Sequence, residues 1–595
     1  MLATILHRGP DDGGVWLGGQ VGLGHRRLAI LDLSPTGHQP MSTADGAGVL
    51  AYNGEIYNYR SLRSDLETAG IGFTGTSDAE VLLQALHAWG PERTIPLLNG
   101  MFAFAYLDRR NNSLWLARDR LGIKHLYVAD TGRELIFASE VKALLAHPGF
   151  LAKIDRAALR KRFMSKPRAQ DTLFEGISGL EAGSWWKIDT SGRRKHRYFD
   201  VEGSLDVDRL IKAQRQSDPS VAVTAFREAF GDSVRLHLAS DAPLAAMCSG
   251  GVDSSLIAAF AHDDVQDLVG YVADAPVGAG KGDQAERAGN HIGIRMRRIK
   301  VSQEEYLRLW PHAVRHLDGP AYNQSEPALL AVAKACRADG IKVLLTGEGA
   351  DELFGGYSWH AQTYQRWLMR DRLERFLPML VSKRSRRRAL DFPLSELSEA
   401  GFHRQWQRAL ALDTSEELAP RRLFDRLAGI AKRPERAFLV HGLSDMLTHL
   451  PWLLHRHDHL GMAASIEMRV PFLENRLIDF AMHLPVSAKY RAGQGKWLEK
   501  AVALERLPRD IVLAKKKGFP MPKSYTRGTE RLLVGGALAE QLEWSASTTR
   551  DVVAALSELN DLRYMTVGME IFLQQHLGQQ SAEEVGERLV SLSAG

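Results

Sequence analysis

Cysteine is nearly absent. Two residues in 595, Cys248 and Cys336, cannot staple a chain of this length, so its cores must come from ordinary hydrophobic burial, and the usage suits a reducing cytoplasm. Long apolar runs are missing as well. None reaches the roughly eighteen residues that a membrane span needs, and the N-terminus lacks the charged and apolar regions of a signal peptide, so we expect a cytoplasmic protein with no membrane partner. A dominant charge is also missing: 76 Lys and Arg stand against 71 Asp and Glu, leaving +5. The basic run Lys383–Arg388 has no aromatic residues interleaved with it, which reads as a solvated helix face and not a nucleic-acid surface. The composition, 45% hydrophobic and 25% charged, is otherwise ordinary, and the length implies two or more domains.

What is present is concentrated in two glycine-rich, acidic loops. The first, Met247-Cys248-Ser249-Gly250-Gly251-Val252-Asp253-Ser254-Ser255, follows an apolar run and leads into Leu256–Phe260, which reads as strand, tight loop and helix. Adjacent glycines let the backbone pass close to a ligand, and a helix start offers unpaired N–H groups and a positive dipole end to an anion. This predicts a polyphosphate cradle. It is not a Walker A loop, because Asp253 stands where a lysine would be wanted. An acid beside phosphates suggests Mg2+, a hard cation shared between carboxylate and phosphate oxygens; the plainer alternative is a serine-capped turn. The second stretch, Val343 to Tyr357, again breaks from an apolar strand into Thr346-Gly347-Glu348-Gly349-Ala350-Asp351-Glu352. In an open α/β sheet, ligands bind beyond the carboxyl ends of the strands, so both loops are expected to face one crevice, with Asp253 and Asp351 sharing the metal. Ser249–Ser254 together with Gly347–Glu352 resembles the synthetase domain of the glutamine-dependent asparagine synthetases.

The N-terminal part reads as α+β. Strand-like runs at Val15–Leu17, Leu28–Leu31, Val49–Tyr52, Met101–Leu107 and Leu114–Ala117 alternate with expected turns at Gly13-Gly14, Asn53-Gly54 and Asn111-Asn112, and helical patterns cover Tyr59–Ala69 and Ala79–Ala88. Its polar signatures, His7–Asp12, Arg27-Leu28, Asn53–Asn58, Ser77-Asp78 and Arg118–Gly122, read singly as turns or ion pairs. Together they resemble the layered αββα glutaminase domain of N-terminal-nucleophile amidotransferases. The resemblance implies that Arg27 holds the glutamine α-carboxylate, that Asp78 and Glu55 hold its amino group, and that Asn53 and Gly54 form an oxyanion hole, the donor set acyl transfer uses. That family starts on a nucleophilic cysteine, whereas here Met1 is followed by Leu2. Either the domain is a degenerate glutaminase or the sequence has lost its true start. The intact pocket residues favour the second, and we expect ammonia, not glutamine, to serve as nitrogen source for the chain as it stands.

We expect residues 1–195 to form the glutaminase-type domain, 196–220 a linker, and 221–595 a doubly wound, parallel-sheet ATP-pyrophosphatase domain with a helical insert at about 358–445. The resemblance resumes at His455 and assigns Asp458, Glu467 and Arg469 to the acceptor site. His455, His457 and His459 do not share one helical face, which argues against zinc. Gly495-Lys496 and Lys515–Phe519 also follow the family. Gly319, where the family commonly has a glutamate, and the glycines 278, 280 and 282 depart from it. The implied chemistry places ATP on Ser249, Gly250, Gly251, Asp253, Ser254 and Gly347, with Mg2+ on Asp253 and Asp351. Lys496 answers charge on the phosphates and Glu348 takes a proton. The implied reaction converts aspartate to asparagine through a β-aspartyl adenylate, with glutamine or ammonia as nitrogen source and AMP and pyrophosphate as products. The alternatives are amidation or ring closure of another carboxylate (a sugar acid, a β-lactam precursor or a peptide), and a non-catalytic ATP-binding partner protein. A homodimer is left open.

Overall fold

The computed structural model describes residues 1–162, 171–215, 220–275, 281–376, 419–514 and 521–594. Lys383–Arg388, Lys515–Phe519, Gly278, Gly280 and the centre of the expected helical insert lie outside the described residues. The first half contains β1 (Asp12–Gly18), β2 (Val21–Arg27), β3 (Met41–Ser42), β4 (Gly48–Ile56), β5 (Gly100–Asp108), β6 (Ser113–Arg118), β7 (Tyr127–Asp130), β8 (Leu135–Ala138), β9 (Ile177–Gly179), β10 (Ser184–Asp189) and β11 (Gly192–Arg197). Six of these make an antiparallel sheet in the order β11-β10-β6-β5-β4-β3.

Strand β5 explains the layering. Its side chains alternate between faces: Phe102, Phe104 and Tyr106 enter the core beneath the helices Tyr59–Thr68 and Asp78–Trp89, while Ala103, Ala105 and Leu107 enter a second core with Leu23 of β2 and Val128 of β7. Large rings on one face and small residues on the other let helices cover one side and strands the other. The short helix Val141–Leu145 packs behind β7 and β8 and closes the layered αββα arrangement expected from the sequence.

Three local readings are corrected. Asn53-Gly54 and Gly13-Gly14 are not turns: they lie inside β4 and β1, with Asn53 opposite Ala103, Gly54 opposite Phe102 and Gly13 opposite Arg26. A Cβ on Gly54 would sit 2.1 Å from the Met101 carbonyl oxygen, so the glycine serves a close strand approach. Leu28–Leu31 is not a strand. Its backbone bonds go to the second half and to side chains instead of a ladder: Asp241 N–H donates to Ile30 O at 2.9 Å, Lys342 Nζ to Ala29 O at 3.0 Å, and Ala29 N–H to Asp11 at 2.9 Å.

The second half contains β12 (Leu244–Met247), β13 (Val269–Asp274), β14 (Arg295–Lys300), β15 (Val343–Leu345) and β16 (Glu467–Arg469), all parallel, in the order β14-β13-β12-β15-β16. Strand order reverses between β12 and β15, so the crevice beyond their carboxyl ends is the place where such a sheet receives a ligand. The C-terminal helices Asn560–His576 and Ala582–Ala594 carried no motif. They cover the helix Gln303–Leu317, with Trp310 stacked on Tyr564 at 4.4 Å.

The halves are joined by more than a tether. Tyr57, Met101, Leu121 and Ile123 share a core with Phe226, Leu256, Phe354 and Phe472. Within the expected linker, Val207–Gln214 forms a helix whose Leu210 is buried in that same core. No helix among the described residues is long and apolar enough to cross a membrane.

Candidate active site

The loop after β12 turns at Gly250, whose φ is +75° and whose added Cβ would lie 2.7 Å from Gln284 and Ala285 backbone atoms. The helix Val252–Asp264 then begins at Gly251 without a side-chain cap, which leaves its first-turn amides facing the crevice. Ser249 N–H donates to Ser254 Oγ at 3.1 Å, and the two hydroxyls lie 3.0 Å apart, so the serines brace the loop. Beyond β15, Thr346 N–H donates to Arg469 O at 2.8 Å. A Cβ on Gly347 would sit 3.2 Å from that of Asp253, so the two loops touch.

A third element closes the site. Lys496 stands at the N-cap of helix Trp497–Ala503 in a left-handed conformation, φ +57°, a strained state for a residue with a side chain. Its backbone N–H donates to Phe354 O at 3.1 Å. Its ammonium reaches Asp253 at 2.5 Å and Asp351 at 2.8 Å while the residue is only 4% exposed. Burial alone would lower the Lys496 pKa, but Asp253 and then Asp351 outweigh it and hold it well above the ordinary value. A Cβ on Gly356 would lie 2.0 Å from both Asp351 Oδ1 and Lys496 Cε, so only glycine fits against this cluster.

Glu348 is held by a different helix. Its carboxylate receives Arg456 Nη2 at 3.2 Å and His457 Nε2 at 3.1 Å, both from helix Leu450–Met462. Arg456 also donates to Ser325 Oγ at 3.1 Å. Nearby, a cavity of about 40 Å³ lies between the halves, lined by Tyr127, Arg162, Asp318, Gly319, Tyr322 and His455 among others. The departure at Gly319 therefore borders a space shared by both halves.

The residues expected to form a glutamine pocket are spread around β4. Asn53, Gly54 and Glu55 follow one another on that strand. The buried Asn53 Nδ2 has no hydrogen-bond partner among the described residues. Arg27 donates to Ser34 O at 3.0 Å, to Leu31 O at 3.3 Å and to Asp32 O. Asp32 in turn accepts Thr76 N–H at 2.9 Å, two residues before Asp78. Asp78 accepts Tyr52 Oη at 2.6 Å and Ile56 N–H at 3.0 Å, and burial raises its pKa despite these bonds.

The three acceptor candidates are saturated by protein partners between the halves and do not line an open cleft. Arg469, fully buried, donates to Glu55 at 2.8 Å, to Glu467 at 2.9 Å, and to the carbonyls of His237 and Ala239 at 2.8 and 2.6 Å. Burial raises the Glu55 pKa well above the usual range although Arg469 opposes it. Asp458 accepts Arg8 at 2.9 Å and Lys124 at 3.1 Å. Burial would raise its pKa, but Arg8 and then Lys124 bring it down to about 2. The triplet His455, His457 and His459 also divides: His457 turns to Glu348, whereas His455 and His459 pack on His125 of the first half at 5.0 Å.

Sequence reasoning missed three acids and bases near Asp351 and Lys496. Glu352, beside Asp351, is buried and accepts Tyr357 Oη at 2.6 Å; burial first and Asp351 second push it up to about 8. Glu499 lies one turn beyond Lys496. Lys489 borders a small cavity with Glu352 and Phe438, and burial pulls it down to about 7. Only Glu352 sat inside a motif; Glu499 follows Gly495-Lys496 without being part of that signal, and Lys489 lies in a stretch without one. Because the folded state penalises the Lys489 ammonium, the penalty is fully present below about pH 7 and disappears as pH rises toward the ordinary lysine value. Lys489→Met is therefore expected to raise stability at pH 7 by about 1–2 kcal/mol, reduced from the fully buried figure because the ammonium borders a cavity. The gain should shrink toward pH 10, and melting of both proteins across this range checks it.

Comparison with known proteins agrees with this geometry. Residues 1–199 match the glutamine amidotransferase domain family and residues 225–577 the asparagine synthase family. Asparagine synthetase (glutamine-hydrolyzing) 3 of Bacillus subtilis is 32% identical, with 90% of this chain and 86% of that protein aligned. A putative asparagine synthetase (glutamine-hydrolyzing) of Mycobacterium tuberculosis is 31% identical, with 91% and 85% aligned. The amidase chry2 of Gibberella zeae is 27% identical, with 98% and 94% aligned. With both halves matched in this order, and relatives above 30% identity aligned over most of their own length, the chain belongs to the glutamine-hydrolysing asparagine synthetase family of ligases.

Proposed function

We propose that this enzyme amidates the side-chain carboxylate of aspartate, activating it with ATP as a β-aspartyl adenylate. The observation that carries this reading is the convergence of Asp253, Asp351 and Lys496 where the order of the parallel sheet reverses. First-turn amides beyond Gly251 and the backbone at Gly347 take the phosphates. The acceptor carboxylate attacks the α-phosphorus and pyrophosphate leaves, with Lys496 following the charge that grows on it. Ammonia then attacks the acyl carbon, AMP departs, and Glu348, held by Arg456 and His457, takes the proton. Two carboxylates around one cationic centre suit a hard ion, and Mg2+ held by Asp253 and Asp351 would supply charge neutralisation of the polyphosphate.

The nitrogen source follows from the first half. We assign glutamine to Arg27, Asn53, Gly54, Glu55 and Asp78; the unpartnered Asn53 amide supports an oxyanion role, and Arg27 would exchange a carbonyl partner for the α-carboxylate. The acceptor space is better served by Glu348 and Arg456 than by the saturated Arg469. Two buried free thiols, Cys248 and Cys336, support a cytoplasmic enzyme. A second acceptor class, another carboxylate, is favoured by Gly319 at the cavity between the halves. Pyrophosphate release with ammonium and a panel of carboxylates tests both readings: turnover with aspartate alone supports the first, and turnover only with a different carboxylate replaces it.

Lys496→Ala is expected to lower turnover by about 100-fold or more with a smaller change in the Michaelis constant for ATP, because its charge is matched to the transition state. A raised Michaelis constant with unchanged turnover would move Lys496 to ground-state binding.

A further inference from the structure

Helix Trp497–Ala503 starts at Lys496 and carries Glu499 three residues on, on the same face. The other fully buried residues of this helix, Leu498, Val502 and Ala503, are apolar, so a glutamate here breaks the pattern of its own core. Glu499 is 0% exposed, and neither carboxylate oxygen has a hydrogen-bond donor among the described residues. It lies against Asp253, with Lys496 and Asp351 also acting on it. Two carboxylates in contact with no donor between them repel, and an uncompensated buried carboxylate is costly. The charges do not balance either. Asp253, Asp351 and Glu499 surround one buried ammonium, Lys496, and Lys500 one turn on is only half-buried. With all three carboxylates ionised the surplus would be two negative charges, the amount a divalent cation neutralises.

We infer that Glu499 is a third carboxylate ligand for the divalent cation held by Asp253 and Asp351. The inference rests on the proposed metal role of those two aspartates and adds a ligand from a different element, the helix that also delivers Lys496. Three carboxylates, with phosphate oxygens and water completing the set, give the oxygen-only environment that Mg2+ and Mn2+ take. The same helix would then set both the lysine and the cation, so that their spacing is built into one turn.

Mn2+ titration followed by electron paramagnetic resonance tests this with the full chain and a saturating non-hydrolysable ATP analogue. Wild type, Glu499→Gln, Glu499→Leu and Asp253→Asn are compared, and thermal melting without metal reports folding. Glu499→Gln keeps the shape and removes the charge, and Glu499→Leu matches the apolar helix face, so at least one variant should fold. Both are expected to weaken Mn2+ binding about tenfold or more, with melting unchanged or raised. If they bind Mn2+ like wild type while Asp253→Asn does not, the Asp253–Glu499 gap holds a shared proton and the inference fails. If Asp253→Asn also binds like wild type, or wild type binds no Mn2+, the two-aspartate metal reading fails with it.

Discussion

Replacing Asp253 or Asp351 by Asn is expected to lower ATP-dependent pyrophosphate release by about a thousandfold or more, some 4 kcal/mol of transition-state stabilisation. Asn keeps the size and one acceptor oxygen but removes the charge, so the loss isolates electrostatics from packing. The geometry makes each aspartate matter twice. Each is a ligand candidate for the cation and each is a counter-charge for the buried Lys496 ammonium at 2.5 or 2.8 Å. The second role implies a stability loss of roughly 1.5–3 kcal/mol, the value of a hydrogen bond to a charged group, which is smaller than the kinetic effect because the remaining aspartate still pairs with the lysine. Pyrophosphate release at saturating Mg2+ with ammonium as nitrogen source measures the first, and melting measures the second. Ammonium bypasses the first half, so wild-type turnover in either variant would remove the metal assignment without ambiguity from glutamine chemistry.

The second large effect is expected at Arg469. Arg469→Met should destabilise the protein by about 3–5 kcal/mol, the range for breaking a buried ion pair on one side. The guanidinium is fully buried and each of its three nitrogens donates, to Glu55 of β4, to Glu467 two residues away on β16, and to two carbonyls that precede β12. Removing it leaves two buried carboxylates of like charge. Arg469→Lys should recover little, because one ammonium cannot replace a planar fork aimed at four acceptors. A chain of this size need not unfold in one step, so denaturation should be followed together with proteolytic cleavage between the halves, which is expected to accelerate. Unchanged melting and unchanged cleavage would show that the shared apolar core carries the contact by itself. Such a result would also return Arg469 to the list of candidates for substrate binding.

How much of this was legible depends on distance along the chain. The cradle, the acidic loop and the parallel sheet were readable because each signal is local: an apolar strand, two glycines and a helix start within about fifteen residues encode their own conformation. The same locality misled at Asn53-Gly54. The pair has a turn composition, yet its glycine is there so that the Met101 carbonyl can approach across the sheet. Leu28–Leu31 looked like a strand for the same reason, since hydrophobic pattern does not say where backbone groups will find partners.

By itself the sequence determined the family, the parallel sheet and the glycine-rich loops that follow two of its strands, because these rest on short motifs whose residue types are dictated by backbone chemistry. Only the tertiary structure decided which charges meet. Glu55 and Arg469 are 414 positions apart, Lys496 and Asp253 are 243 apart, and Arg8 and Asp458 are 450 apart. No periodicity links such pairs, whose contact follows from strand order and from the packing of one half on the other. It also decided the environment of Glu499, which in sequence is an unremarked acid on a short helix. In the fold it is a buried carboxylate against another, and the low dielectric there turns a neighbour of like charge into a demand for a proton or a cation.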